Sequence, residues 1–535
     1  MVTVPEALLT RREDLIARLA QDDVYDITVV GGGATGLGVA LDAAARGFKV
    51  ALVESHDFAK GTSSRATKLV HGGVRYLAQG NISLVHEALH ERTTLLNNAP
   101  YLAQPLAFVM PSYRWWETLF YGLGLTVYDL LAGKAGLGKT EFLSKAETLQ
   151  LLPMARPEHL KGGVKYWDGQ FNDARLALAL ARSAAVRGAL LVNYCSAEGL
   201  LYENGKIAGL RCRDTLAGKE YRVRSKCVVN AAGVWVDELR ESDNHAHQMG
   251  GGSPVKPMVA PSQGVHIVVD REFLGSDTAL MVPKTSDGRV LFAVPWLGKV
   301  ILGTTDTPRN DLAREPLAFE EEVEFILGES ARYLRRAPQQ ADVRSIWVGL
   351  RPLVKPQDDE GEATKALSRE HTVIVSRSGL VTVTGGKWTT YRAMAEDVLA
   401  ICAKKGLIGQ SAPGVTTHLP LVGADHATAA KTVSISDAPG IHSYGDEAAQ
   451  VDSLPGSDVL VCEGLTEAMV RFAARYEYAV TVEDMLARRS RLLFLDARLA
   501  LGIAGQVGSI LAQETGLDPQ TDAFMTLATS YFLSP

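Results

Sequence analysis

The residues that most restrict what this chain can fold into lie between Tyr25 and Glu54. A short apolar run, Tyr25–Val30, stops at Gly31-Gly32-Gly33, and the stretch from Ala34 to Arg46 is rich in Ala, Leu and Val. A second apolar run, Lys49–Glu54, follows and ends on an acid. The order strand, glycine turn, helix, strand is the fingerprint of a βαβ unit that binds a nucleotide. Gly31, Gly33 and Gly36 hold the G-x-G-x-x-G positions. The first permits the tight turn, the second lets the backbone approach a pyrophosphate, and the third lets the helix lie close to the strand. The N–H groups at the helix start, Ala34 and Thr35, are expected to face the phosphates. Glu54 stands about 20 residues on, where an acid accepts a hydrogen bond from a ribose 2′-OH and repels a 2′-phosphate.

A chain of 535 residues is too long for one compact core and predicts roughly two or three domains. Lys and Arg number 55 against 61 Asp and Glu, a net charge of -6, so no general basic field attracts nucleic acid. An anionic small substrate needs a local cationic cluster instead. The cysteines (Cys195, Cys212, Cys227, Cys402, Cys462) are odd in number, widely spaced and without a CxxC pair. That argues against a disulfide framework or a metal site and favours a reducing compartment. The first 25 residues mix Arg11, Arg12, Glu13, Asp14, Arg18, Asp22 and Asp23 with short apolar runs. They read as an amphipathic helix over Glu6–Ala20 rather than a secretory or transit peptide, and a cytoplasmic location is expected. No apolar run approaches the ~20 residues that spanning a bilayer takes.

Just past the nucleotide unit, Gly61–Leu77 reads GTSSRATKLVHGGVRYL and packs hydroxyls, two cations beside a His-Gly-Gly turn, and a Tyr into one segment. It is expected to run from a cofactor's phosphates into a substrate pocket. Helical patterns follow over Ile82–Leu96 and Asn172–Arg187, the latter opening on the capping candidates Asn172 and Asp173. Between them, Tyr113–Ala132 crowds Trp115, Trp116, Phe120, Tyr121 and Tyr128 with leucines, interrupted by Glu117 and Asp129. Two readings fit it equally: a segment at the headgroup level of a bilayer, or a buried aromatic helix under a substrate domain. Cys227–Gly233 is another apolar strand ended by small residues, where a second loop can approach the cofactor, so the nucleotide domain is discontinuous. Residues 262–304 read as antiparallel strands with a turn at Thr285-Ser286-Asp287-Gly288. Glu320–Leu334 reads as a helix crossing them. Leu380–Thr384 runs into Gly385-Gly386-Lys387 and a helix over Thr389–Cys402, a second helix N-terminus suited to an anionic or electron-rich group. From Gly406 to Pro455 the composition is that of a linker, and the tail is helical, with Arg488, Arg489 and Arg491 read as a solvated or ion-paired face.

The pieces Val30-Gly31-Gly32-Gly33, Thr62-Ser63-Ser64, Lys68-Leu69-Val70-His71-Gly72-Gly73, Arg75-Tyr76-Leu77 and Gly385-Gly386-Lys387-Trp388-Thr389-Thr390-Tyr391-Arg392 together resemble the FAD-dependent sn-glycerol-3-phosphate dehydrogenases. The resemblance spans roughly residues 24–400, and Glu477-Tyr478-Ala479-Val480 extends it into the tail. It is closer to the mitochondrial-type branch through Gly288-Arg289-Val290 and Gly303-Thr304-Thr305-Asp306-Thr307-Pro308, without that branch's calcium-binding loop. The fold it implies is α/β (α+β overall): a Rossmann-type FAD-binding domain of the glutathione-reductase/D-amino-acid-oxidase kind, an antiparallel-sheet substrate domain and a C-terminal helical domain. The expected division is 21–100, 161–250 and 375–405 for FAD, 101–160 and 251–374 for substrate, 406–455 as linker and 456–535 as helical cap.

The same resemblance implies oxidation of the C2 hydroxyl of glycerol 3-phosphate to dihydroxyacetone phosphate, reduction of FAD, and electron delivery to membrane quinone. It implies peripheral contact with the inner face of the cell membrane and leaves a homodimer open. For the phosphate clamp it points to Arg75, Tyr76, Thr304, Arg351, Arg369 and Lys387; Arg forks bind phosphate oxygens bidentately. For the base it points to His266, with His71 as rival and Arg351 lowering the energy of the developing alkoxide. Cofactor contacts are expected from Gly31, Gly33, Ala34, Thr35, Gly36, Glu54, Thr62, Ser63, Lys68, Leu69, His71, Gly72, Ala197, Ala232, Gly233, Gly386, Lys387 and Thr389. Two related chemistries compete with this reading. One is a glycerol-3-phosphate oxidase that uses O2; the other is an amine- or hydroxy-acid-oxidising flavoenzyme, whose amino-acid substrates would need a carboxylate clamp.

Overall fold

The structure, a computed structural model, describes residues 10–73, 81–247, 255–355, 371–410, 412–424 and 432–533. Its first sheet centres on Val24–Val30, the strand predicted from Tyr25–Val30. Val50–Val53 and then Leu190–Val192 lie parallel on one side, Glu220–Asn230 and then Val381–Gly385 on the other. Ile27, Val29, Ala51, Leu52 and Val229 are fully buried, as expected of a parallel sheet covered on both faces. The Ala34–Ala45 helix packs against both Asp173–Val186 and Tyr391–Lys404. Asn172 caps Asp173–Val186, its Oδ1 accepting from the Arg175 N–H.

The second sheet is largely antiparallel and contains Val259–Asp270, Ala279–Val282, Leu291–Trp296 and Lys299–Gly303, as predicted for 262–304. It also takes in Ser345–Val354 and the pair Ala103–Ser112 with Gly162–Phe171. Two boundaries shift accordingly. Gly162–Phe171 belongs to the substrate sheet rather than the FAD-binding domain, because it hydrogen-bonds along Ala103–Ser112. His371–Val375 belongs to the parallel sheet, as the antiparallel partner of Val381–Gly385. Leu69–Val70 pairs with Gly169 and Gln170, so the segment after the nucleotide unit passes from one sheet to the other.

The described residues of the stretch expected as a linker form a packed strap. Tyr101 donates to the Val422 carbonyl at 2.7 Å, Asn98 to the Thr416 carbonyl at 2.9 Å, and Arg182 holds the Glu447 carboxylate. Tyr444 is buried with the Arg175 guanidinium 4.2 Å from its ring centroid. The tail is helical over Glu467–Tyr476, Ala497–Thr515 and Thr521–Thr529. Its arginines are ion-paired but buried: Arg488 and Arg489 on Asp57, Arg491 on Asp173. Near the N-terminus the described helix is Arg12–Leu19, with Leu15 and Leu19 buried.

The Glu117–Ala132 helix has one buried face and one exposed apolar face. Gly122, Leu125, Tyr128 and Ala132 face inward. Trp115 is 83% exposed, Phe120 65%, Leu123 57% and Leu130 76%.

Candidate active site

A cavity of about 940 Å³ runs between the two sheets. At its outer end the glycine turn closes as the sequence requires. Gly31 has φ +109°, and a Cβ there would lie 2.6 Å from the Ala231 carbonyl oxygen. Gly36 does not line the cavity; its missing Cβ lets the helix rest on the Gly31 carbonyl. Ser63 Oγ accepts from the Ala34 N–H at 2.9 Å, and Thr62 Oγ1 donates to the Leu350 carbonyl at 2.6 Å. The hydroxyl segment therefore bridges the helix start and the second sheet. Glu54 is pinned at the end of its strand by the N–H groups of Gly32 (2.6 Å) and His56 (2.9 Å). Thr35, Ala197, Ala232, Gly233, Gly386 and Thr389 also line the cavity, the two glycines at φ +63° and +72°. A cradle of glycine backbone with a carboxylate at its far wall fits a dinucleotide and excludes bulkier side chains from its bed.

At the inner end the antiparallel sheet supplies the polar groups. His266 sits on Val259–Asp270 between Gly303 and Trp347 of the neighbouring strands. Its ring stacks on Trp347 at 4.1 Å, and Nε2 lies 2.9 Å from Thr67 Oγ1. Nδ1 is buried and has no hydrogen-bond partner among the described residues. Burial first, then the charges of Lys68 and Arg351, push its pKa well below the usual histidine value, so the imidazole is neutral near pH 7. Arg351 donates to the Thr305 carbonyl at 2.9 Å, Thr304 Oγ1 at 3.1 Å and Asp306 at 3.1 Å. Gly264 makes room for it: a Cβ there would lie 2.7 Å from Thr304 Oγ1 and press on the guanidinium. Lys387, Leu69 and His71 line the same cavity, with Phe108, Tyr166, Met281 and Phe292 as apolar wall.

Three expected cofactor contacts are corrected, the first being Gly36, which rests on the Gly31 carbonyl outside the cavity. Lys68 has a left-handed backbone (φ +65°) and is fully buried. Its ammonium lies 2.6 Å from Asp173 rather than in the cavity. Gly72 turns its N–H to Asp168 Oδ1 at 3.3 Å, beneath the Tyr128 hydroxyl, and does not line the cavity. Arg75, Tyr76 and Arg369 lie outside the described residues. The sequence reading missed Thr67, whose partner His266 is 199 positions away. It also missed Arg314, whose guanidinium lies 3.7 Å from the Trp235 ring centroid at the cavity edge. Thr67 lies in the hydroxyl-rich segment Gly61–Leu77 but was not singled out within it, and Arg314 carries no local pattern.

A dinucleotide bed that leads under a roof of buried polar side chains suits redox chemistry, and fold and site together define an FAD-dependent oxidoreductase. Residues 26–392 match the family described as FAD dependent oxidoreductase, and residues 414–522 the family described as C-terminal domain of alpha-glycerophosphate oxidase. The mitochondrial glycerol-3-phosphate dehydrogenase of Mus musculus is 41% identical over 537 residues, covering 94% of this chain and 72% of its own. The Arabidopsis thaliana enzyme SDP6 is 39% identical, covering 94% and 84%. Among solved structures, the glycerol-3-phosphate dehydrogenase of Bacillus halodurans complexed with FAD is 29% identical with a TM-score of 0.75, covering 98% of this chain and 97% of that one. The L-alpha-glycerophosphate oxidase of Mycoplasma pneumoniae, at 17% identity and a TM-score of 0.56, shares the fold. The chain belongs to the FAD-dependent glycerol-3-phosphate dehydrogenases. Its cofactor is FAD.

Proposed function

We propose that the protein oxidises sn-glycerol 3-phosphate to dihydroxyacetone phosphate and passes the electrons to a membrane quinone, working from the inner face of the cell membrane. The observation that carries the chemistry is a buried, neutral imidazole on one strand beside a fixed guanidinium on the next, both lining the inner end of the cavity. When bound, FAD supplies the acceptor for the hydride that leaves C2. His266 takes the C2 hydroxyl proton, directly or through Thr67 Oγ1, its hydrogen-bond partner. Arg351 is already held by Thr304, Thr305 and Asp306, so it meets the negative charge developing on the substrate oxygen without reorganising. With Thr304 and Lys387 it offers cationic and hydroxyl groups to the phosphate, and Arg75, Tyr76 and Arg369 are assigned to the same clamp. The apolar wall of Phe108, Met281 and Phe292 keeps water from the reacting carbon.

The membrane half of the reading rests on the outward stripe Trp116, Leu119, Phe120, Leu123, Val127 and Leu130, which repeats at helical spacing and stays exposed. No helix among the described residues is long and apolar enough to cross a membrane, so the stripe suits a helix lying in the interface. His266→Asn tests the base: kcat should fall about 10²–10⁴-fold with flavin content retained, and wild-type kcat across pH contradicts the assignment. Turnover coupled to a quinone analogue, without matching peroxide, tests the acceptor; peroxide formed mole for mole with product contradicts it.

A further inference from the structure

The segment between the nucleotide turn and the His-Gly-Gly turn hides a charge cluster that takes no part in lining the cavity. Lys68 Nζ lies 2.6 Å from Asp173 Oδ2 and 2.8 Å from the Ser64 carbonyl. Arg491, from the C-terminal domain, reaches the same two residues, 2.7 Å from the Ser64 carbonyl and 3.1 Å from Asp173 Oδ1. All three side chains are fully buried. Lys68 and Arg491 both adopt left-handed backbone, φ +65° and +66°, a conformation unfavourable for residues with a Cβ and retained only where surrounding contacts enforce it.

The cluster abuts the proposed base through an aromatic plate. Lys68 Nζ lies 4.4 Å from the Trp347 ring centroid, and Trp347 stacks on His266 at 4.1 Å with the planes 19° apart. The residue preceding Lys68, Thr67, holds His266 Nε2. One short segment therefore touches the imidazole by a hydroxyl at its edge and places a cation over the indole on which the imidazole stacks. Two cations against one carboxylate leave the cluster with excess positive charge, and little water is present to screen it. Other charges near His266 are balanced: Arg351 by Asp306, and Arg65 by Glu315. Glu322, on the helix crossing the sheet, is spent on Thr305, Thr307 and Gln263. Lys387, His71, Arg289 and Asp168 line the same cavity.

We propose that Lys68 is a positioning residue for the reaction: held by Asp173 and Arg491, it fixes Thr67 against His266 and, through Trp347, disfavours the imidazolium, so that the base stays ready to accept a proton in mildly acid solution. The inference rests on His266 as base. Burial lowers the pKa of Lys68 itself, with Asp173 opposing and Arg491 adding to the fall; the Asp173 carboxylate at 2.6 Å is the contact that favours the charged amine.

The test is the acid limb of kcat/KM against pH. Removing a nearby cation raises the pKa of an imidazole, so Lys68→Met should move that limb upward by about one pH unit, while Lys68→Arg keeps it near the wild-type position. A Lys68→Met enzyme that loses rate equally at every pH, or leaves the limb in place, overturns the inference. The reading beneath it fails differently: a limb that survives in His266→Asn belongs to another group. If Lys68→Met does not fold, Lys68→Gln, which keeps a donor for Asp173 and the Ser64 carbonyl without the charge, takes the same measurement: its acid limb should move upward as well, and a limb at the wild-type position overturns the proposal.

Discussion

Arg351 has its acceptors in place before any substrate arrives, and that is what distinguishes it from a surface arginine. A carbonyl, a hydroxyl and a carboxylate hold the fork, so its orientation is fixed by the sheet. Lysine offers a single point of charge and cannot satisfy that set. Arg351→Lys should therefore lower kcat/KM for glycerol 3-phosphate by about 10²-fold or more, with kcat carrying part of the loss; steady-state kinetics at saturating FAD checks it, and an unchanged kcat/KM contradicts the role. Of the residues expected at the site, Glu54 could be read from a local pattern, the acid that ends its strand, whereas Arg351 and His266 were singled out by the family resemblance. Lys68 shows the limit. Its place beside His71-Gly72-Gly73 made it a cofactor contact by pattern, yet its backbone sends the side chain inward to an acid 105 positions away. Pattern locates a residue along the chain, and only packing decides which way it points.

At the scale of elements, the nucleotide unit was readable because its signals are local: two apolar runs, a glycine turn and an acid lie within thirty positions of one another, at about the length of one βαβ unit. The strap over 412–424 and 432–455 was not, since small and polar composition describes both a free linker and a segment whose carbonyls are bound by Tyr101 and Asn98, more than 300 positions away. The Glu117–Ala132 helix lies between these cases. Its sequence supports a buried helix or an interfacial one; the fold buries one face, with Tyr128 on Asp168, and leaves aromatic and leucine side chains exposed on the other. The outer stripe gives a direct expectation. Phe120→Ser with Leu123→Ser, both outside the buried face, should move the protein from the floating fraction to the soluble one in liposome flotation and leave anaerobic flavin reduction unchanged. Equal flotation of variant and wild type contradicts membrane docking by this helix.

The whole molecule is held together by buried charge as well as apolar area. Asp57, on the segment following the second strand, accepts from Arg488 and Arg489 of the tail, and Lys60 pairs with Glu483 at 2.5 Å and Glu315 at 2.7 Å. Breaking one side of a buried pair strands the other, so Asp57→Asn should lower stability by about 3–5 kcal/mol, read as an earlier denaturant midpoint; a midpoint within error of wild type contradicts it. Burial raises the pKa of these acids and the facing cations overcome that, leaving Asp57, Glu315 and Glu483 below the usual carboxylate range. A depressed carboxylate stabilises the fold above its unfolded pKa, roughly pH 4, and the gain disappears as pH falls towards the folded value. Asp484, raised by burial and by Asp57, offsets part of this. Thermal scans should show the midpoint flat from neutral pH to about pH 5 and falling steeply below pH 4; a midpoint that rises on acidification contradicts the account. All of this serves to hold one cavity between two sheets, and the claim about that cavity is tested most directly by an anaerobic absorbance titration of the purified holoenzyme. The account predicts a flavin spectrum that bleaches stoichiometrically with sn-glycerol 3-phosphate and is untouched by glycerol or amino acids. A spectrum that glycerol 3-phosphate leaves oxidised, or that an amino acid bleaches instead, would contradict it.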